Sequence, residues 1–177
     1  VVWAIIAFAA VIGLTGCDGK NYPTRLGAPQ SVQTYLSAHD ETPGTLTRLE
    51  AAQIRYSQST YSIRGETDEG ELYMVEENIQ WLKDHPDQEL PWDGPIRVFR
   101  KQAFMDEWGP LSQIGFTGDP KNLVNGEIYT LDHRRLVAYR LAGRKTIPVQ
   151  WTSWSVVWDN RWKFTTSNGG RSIAPNP

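Results

Sequence analysis

A chain of 177 residues, 40% hydrophobic and 21% charged, has the composition of an ordinary globular domain, which excludes a disordered or collagen-like polymer. Its single cysteine, Cys17, excludes an intramolecular disulfide and a CxxC zinc site, and the three histidines (His39, His85, His133) are too scattered for a Cys/His metal site. The net charge of -2 conceals a split: residues 17–94 hold 6 Lys+Arg against 14 Asp+Glu, a net of -8, and residues 95–177 hold 12 against 6, a net of +6.

A basic half suits a nucleic-acid or nucleotide surface, masked in part by the acidic half; equally, the two halves neutralise each other within the fold. Eight tryptophans are many for this length, and five of them (Trp108, Trp151, Trp154, Trp158, Trp162) fall in the last 70 residues, where they predict packing.

Val1 to Gly16 is uncharged and apolar and is followed by Cys17. The run is short for a membrane span and suits a signal-peptide apolar region. Leu14-Thr15-Gly16-Cys17 resembles a bacterial lipobox, which implies lipidation at Cys17, membrane contact through residues 1–17 and a periplasmic lipoprotein. The segment GLTGCDGK (residues 13–20) also resembles the DPxGLxG junction that precedes the toxin domain of Rhs polymorphic toxins, with Ala10-Val11 in place of Asp-Pro. That implies a parent delivery polypeptide upstream. The chain begins at Val1 with no Met and no basic segment, so it reads as a piece of something longer. Under either reading residues 1–20 stand outside the fold. Residues 21–50, rich in Pro, Gly, Ser and Thr, read as a linker with one short helix around Val32–Ala38. The domain proper is expected over 51–177.

Gln53–Tyr61 is rich in β-formers and predicts a strand. Gly65–Gly70 reads as an acidic turn. Glu71–His85 predicts a helix: Leu72, Val75, Ile79 and Leu82 recur at three- and four-residue spacing, and Pro86 ends it. Pro95–Lys101 predicts a strand in which Ile96, Val98 and Phe99 are apolar, with a break of alternation at Phe99. Gln102–Asn125 reads as a long loop ending in the turn signal Asn125-Gly126. Glu127–Leu131 predicts a strand, Asp132 an N-cap, His133–Ala142 a helix closed by Gly143, and Thr146–Trp151 a strand. A Trp-rich tail then carries Lys163-Phe164-Thr165-Thr166 and a glycine turn. The order implies an α+β domain, a small mixed sheet with flanking helices.

The run from Gly126 to Val149 carries the chemistry. Arg134 and Arg135 sit in the first turn of a helix, where backbone N–H groups lack intrahelical partners, which makes an anion site. They would hold a phosphate by bidentate, charge-assisted bonds. His133 is a candidate general base or acid, and Asp132 could cap the helix, orient His133 or ligate Mg2+ or another divalent cation. Ser57 and Gln58, with Lys163 and Thr165, are candidates for the opposite wall, the last two as further phosphate ligands. Each residue also has a structural reading. Asp132 could be an N-cap only, and His133 exposed and inert. Arg135 could pair with Glu127, Ser57 and Gln58 could satisfy strand edges, and Lys163 could be a solvated surface lysine.

The pattern PIRV, G-x-IYTLDHRRLVAYRLAG, IPVQW resembles the ParB/sulfiredoxin superfamily. The matching positions are Pro95, Ile96, Val98, Gly126, Asp132, Arg134, Arg135, Ala138, Gly143, Ile147, Pro148 and Val149. The resemblance is closer to ParB-like toxin modules at the C-termini of bacterial polymorphic toxins. These share Arg55-Tyr56-Ser57-Gln58-Ser59-Thr60, the Lys163–Thr166 element and Gly169-Gly170-Arg171-Ser172-Ile173. It implies a ParB-like fold and a secreted nuclease toxin that cuts DNA or RNA in the target-cell cytoplasm and has a cognate immunity protein. With that reading, the candidate catalytic residues are Asp132, His133, Arg134, Arg135, Ser57 and Gln58. The chain departs from sulfiredoxins, whose turn carries a cysteine where Asp132-His133 stand. It also departs from chromosome-partitioning ParB proteins: 28 residues follow Val149, too few for a helix-turn-helix domain, and Asp132 replaces their turn glycine. A non-catalytic nucleotide- or nucleic-acid-binding module of the same fold remains the alternative.

Overall fold

The computed structural model describes residues 43–66, 72–109 and 117–176. The leader with its lipobox or junction motif, the short helix around Val32–Ala38 and most of the acidic turn after Gly65 lie outside the described residues. Among the described residues no helix is long and apolar enough to cross a membrane.

The fold is α+β. A five-stranded mixed sheet is built from β1 (Leu46–Glu50), β2 (Ile54–Tyr56), β6 (Ile96–Arg100), β7 (Ile128–Thr130) and β8 (Thr146–Trp151), in the order β1-β8-β6-β7-β2. β1 runs antiparallel to β8 and β7 antiparallel to β6, whereas β6–β8 and β2–β7 are parallel. Two small ribbons lie outside it. β3 (Thr60–Ser62) pairs with β9 (Ala174–Asn176), and β4 (Arg64–Glu66) with β5 (Leu72–Met74). The helices are α1 (Val75–Asp84), α2 (His133–Leu141) and the short α3 (Trp154–Asp159).

The sheet carries a separate core on each face. Ile54, Tyr56, Ile96, Val98, Ile147 and Val149 pack with Val75 and Leu82 of α1 and Leu136 to Tyr139 of α2. Phe99 and Tyr129 pack instead with Met105, Leu123, Trp154, Val157 and Phe164. Successive strand residues point to opposite faces. Val98 and Phe99 therefore obey one alternation, and the expected break in it is the signature of a strand buried on both sides. The tryptophan-rich tail supplies much of the second core, as its composition predicted.

Three boundaries differ from the sequence reading. The stretch assigned to a linker up to residue 50 contains β1, whose backbone pairs with β8 from Leu46↔Gln150 to Glu50↔Thr146, so the sheet begins before residue 51. The helix expected from Glu71 starts at Val75, because residues 72–74 pair with β4 and the Glu77 carboxylate accepts the Met74 N–H at 2.8 Å. The strand expected over 53–61 is broken at Ser57–Ser59: β2 joins the main sheet and β3 turns away to meet β9.

That break is held by the C-terminal element. The Tyr56 N–H donates to the Gly170 carbonyl (3.0 Å), and the Ser57 carbonyl accepts from the Thr165 and Thr166 N–H groups at 3.0 and 3.3 Å. Gly170, at φ 76°, lies so close to β2 that a Cβ there would stand 2.2 Å from the Tyr56 carbonyl oxygen. Gly143, at φ 77°, closes α2 with open space around it. Both disfavour a side chain by conformation, at roughly 1–2 kcal/mol. Only Gly170 adds a backbone collision. Gly143→Ala is expected to cost about 1–2 kcal/mol and Gly170→Ala clearly more, read as the shift in urea unfolding midpoint. Equal costs would mean that the C-terminal element does not press on β2.

Candidate functional site

The strand β7 ends at Thr130, whose hydroxyl donates to the Arg97 carbonyl (3.1 Å) and accepts the Asp132 N–H (2.8 Å). This turn throws the Asp132 carboxylate toward β6. Its oxygens accept the Arg97 backbone N–H at 2.7 Å, Arg97 Nε at 3.0 Å and Arg97 Nη2 at 2.5 Å, and pair with Arg135 Nη2 at 2.8 Å. Asp132 holds the expected N-cap position of α2, but its side chain makes no cap bond and instead clamps a strand to the helix. Burial alone would raise the Asp132 pKa; the Arg97 bonds and the Arg135 charge outweigh it and hold the carboxyl well below the usual carboxylate range.

Arg135 also donates to the carbonyls of Gly94 and Pro95. Its guanidinium is committed to the protein, which corrects the expectation of a phosphate-gripping fork: Arg135 lends the site charge. Its acid partner is Asp132, and Glu127 pairs with Arg55 at 2.8 Å instead. Arg134 reaches the Arg64 carbonyl (2.6 Å) across the mouth of the site.

These residues line a cavity of about 470 Å³ that also takes in Gln58, Tyr61, Asp93, Arg97, His133, Trp162 and Lys163. Its lining holds four cationic side chains (Arg97, Arg134, Arg135, Lys163) against two acids (Asp93, Asp132). Lys163 Nζ donates to the Leu131 carbonyl at 3.0 Å, so the lysine is a wall of the site and not a surface residue. Burial lowers its pKa against the pull of Asp132, and the three arginines push the same way as burial, bringing it to about 8.

His133 is buried, which corrects the exposed and inert reading. Its Nε2 lies 2.9 Å from Ser57 Oγ, and that hydroxyl donates to the Thr130 carbonyl at 3.0 Å. Burial, with Lys163 and Arg134 adding and Asp132 opposing, lowers the imidazole pKa to about 3.

The sequence therefore brings together Asp132, His133, Arg134, Arg135, Ser57, Gln58 and Lys163. Thr165 is not among the cavity residues: its hydroxyl accepts the Ser59 N–H at 3.2 Å and fixes the bend after β2. The Asp132 oxygens are filled by arginine donors, and among the described residues no group of three or more His, Cys, Asp or Glu is placed to hold a metal ion. This donor set does not fit the expected Mg2+ site on Asp132. Sequence reasoning missed Arg97. Its signal was present: a cation between Ile96 and Val98 faces away from their core, toward the neighbouring turn.

The chain matches no protein-family model, no curated protein and no solved structure.

The buried imidazole makes a testable pH dependence. The unfolded chain takes up a proton at His133 near pH 6.5, whereas the folded chain does so only near pH 3. The contribution of His133 to stability is full above the unfolded pKa and is lost as pH falls between the two values. His133→Gln, which cannot titrate, is expected to lose less stability than wild type between about pH 7 and about pH 4.5, measured as urea midpoints. The same acid shift in both proteins would rule out a histidine buried in its neutral form.

Proposed function

We propose that this domain is a ParB-like effector toxin that hydrolyses phosphodiester bonds of DNA or RNA. The observation that carries the reading is the cavity itself: a concavity with two more positive than negative side chains, walled by the N-terminus of α2, with an imidazole in its lining. Such a surface selects a phosphate. The ParB-like pattern of the turn and the shared C-terminal element point the same way.

In this mechanism the phosphate sits against Arg134 and Lys163, with Arg97 and Arg135 lending positive charge from behind. A water attacks phosphorus and passes its proton to the unprotonated nitrogen of His133. The bond to the leaving oxygen breaks, and that oxygen takes a proton from the Lys163 ammonium. The cations stabilise the charge that builds on the phosphoryl oxygens. A bound phosphate raises the proton affinity of His133 and so makes it a stronger base.

The domain is proposed to travel as part of a longer delivery polypeptide, to act in the cytoplasm of a target cell, and to be neutralised there by an immunity protein. A second reading, a nucleic-acid- or nucleotide-binding module that does not cut, is favoured by the low proton affinity of His133, which is unsuited to a base unless an anion is bound.

Expression in the bacterial cytoplasm is expected to arrest growth. Arg134→Ala or Lys163→Met should relieve the arrest and lower cleavage of plasmid or RNA by roughly 10²-fold, the scale of losing one preorganised charge partner. His133→Gln should still retard nucleic acid in a gel while cutting it at a similarly reduced rate. Cleavage is followed with magnesium and with chelator. A wild-type protein that retards nucleic acid without degrading it establishes the binding module, and one that does neither overturns both readings.

A further inference from the structure

Ser57 looks like a nucleophile beside a histidine, but its hydrogen bonds point elsewhere. Its side chain is fully buried, at 0% exposure, so its hydroxyl is sealed from a ligand in the cavity. A serine hydroxyl has one proton. That proton is given to the Thr130 carbonyl at 3.0 Å. The contact of 2.9 Å between Ser57 Oγ and His133 Nε2 therefore has the imidazole as donor. A neutral imidazole carries one N–H, so a proton on Nε2 leaves the lone pair on Nδ1.

The partners that impose this choice are themselves fixed. The Ser57 carbonyl accepts the Thr165 and Thr166 N–H groups. Thr130 is held by its hydroxyl between the Arg97 carbonyl and the Asp132 N–H. Charged neighbours act on the ring from three segments: Lys163 from the C-terminal element, and Asp132 and Arg134 from the turn and α2, with Lys163 and Arg134 opposing a second proton and Asp132 favouring one.

We infer that Ser57 is a positioning residue: it locks His133 as the Nε2–H tautomer and so assigns proton uptake in phosphodiester cleavage to Nδ1. The catalytic half of this statement rests on the nuclease reading above; the tautomer half does not. The Arg-Tyr-Ser-Gln segment thus serves the site through the histidine and not by attacking substrate.

The test is nitrogen-15 NMR of histidine-labelled protein near neutral pH, with His133→Gln identifying the His133 signals. The expected spectrum shows Nε2 protonated and Nδ1 bare in wild type, and a mixture of tautomers in Ser57→Ala. In cleavage assays Ser57→Ala is expected to lower kcat about tenfold or more with KM within about twofold, the range for losing part of general-base catalysis. The pH–rate profile should shift as the released imidazole titrates. A wild-type ring protonated on Nδ1, or on both nitrogens, overturns the inference, as does Ser57→Ala cutting at the wild-type rate. Should Ser57→Ala fail to fold, the wild-type spectrum alone decides the tautomer. Should the protein cut no nucleic acid, the nuclease reading fails while the spectrum still passes judgement on Ser57.

Discussion

The rest of the structure depends on one buried carboxylate. Asp132 lies between Arg97 of β6 and Arg135 of α2, and accepts the backbone N–H of Arg97 as well as both guanidinium groups. Three arginines and a lysine around one cavity repel each other, and their repulsion grows as water is excluded. The buried Asp132 carboxylate at the centre, with Asp93 also in the lining, makes that density tolerable. It also ties the turn to the sheet, so that the start of α2, the cations and the histidine share one rigid frame. Removing the carboxylate would leave the mostly buried Arg135 without its acid partner, whereas Arg97, 40% exposed, could turn to water.

The site is assembled from four stretches of the chain that meet across the sheet. The bend after β2 contributes Gln58, with Ser57 behind the cavity on His133; residues 93–97 contribute Asp93 and Arg97; the β7–α2 turn contributes Asp132 to Arg135; and the C-terminal element contributes Trp162 and Lys163. The glycine pair Gly169-Gly170 lets that last element approach closely. The Gly169 carbonyl accepts from Arg55 Nη1 at 3.1 Å and from the Tyr129 hydroxyl at 3.0 Å, and the Gly170 carbonyl holds Tyr56. A helix anchor completes the frame: Arg140 of α2 donates to the Ala51 and Ile54 carbonyls and lies over the Tyr56 ring at 4.8 Å. The core residues on α2 and the polar residues at its start are thereby placed by the same contacts.

Electrostatics and packing oppose each other in this cavity. Burial favours neutral forms of His133 and Lys163, and neighbouring cations push both pKa values further down against the pull of Asp132: Lys163 and Arg134 act on His133, and Arg97, Arg134 and Arg135 act on Lys163. A cavity with this excess of positive charge would gain by taking up an anion, which would restore proton affinity to the same two groups. In the proposed nuclease, binding of a phosphate and arming of the acid–base residues would be coupled through one local field.

Much of this was legible in the chain. The helix of α1, the strands β6, β7 and β8, the start of α2 and its stop at Gly143 follow from periodicity, proline and glycine, because those signals act over a few neighbouring residues. That Asp132 to Arg135 stand together at the start of α2 was also readable, since a turn followed by a helix's first residues is a local signal. What each side chain does there was not. Whether Asp132 caps its own helix or reaches Arg97, whether Arg135 is open to a ligand or bound to Gly94 and Pro95, and whether His133 is exposed or sealed against Ser57 depend on β6 and β2 lying beside the turn. So does the edge strand β1, which looks like linker until β8 offers it a backbone to pair with. Residue types and local spacing determined which groups were available to the site. Only the tertiary structure decided their protonation and partners, because burial and charge proximity are set by segments that meet across the sheet and not along the chain.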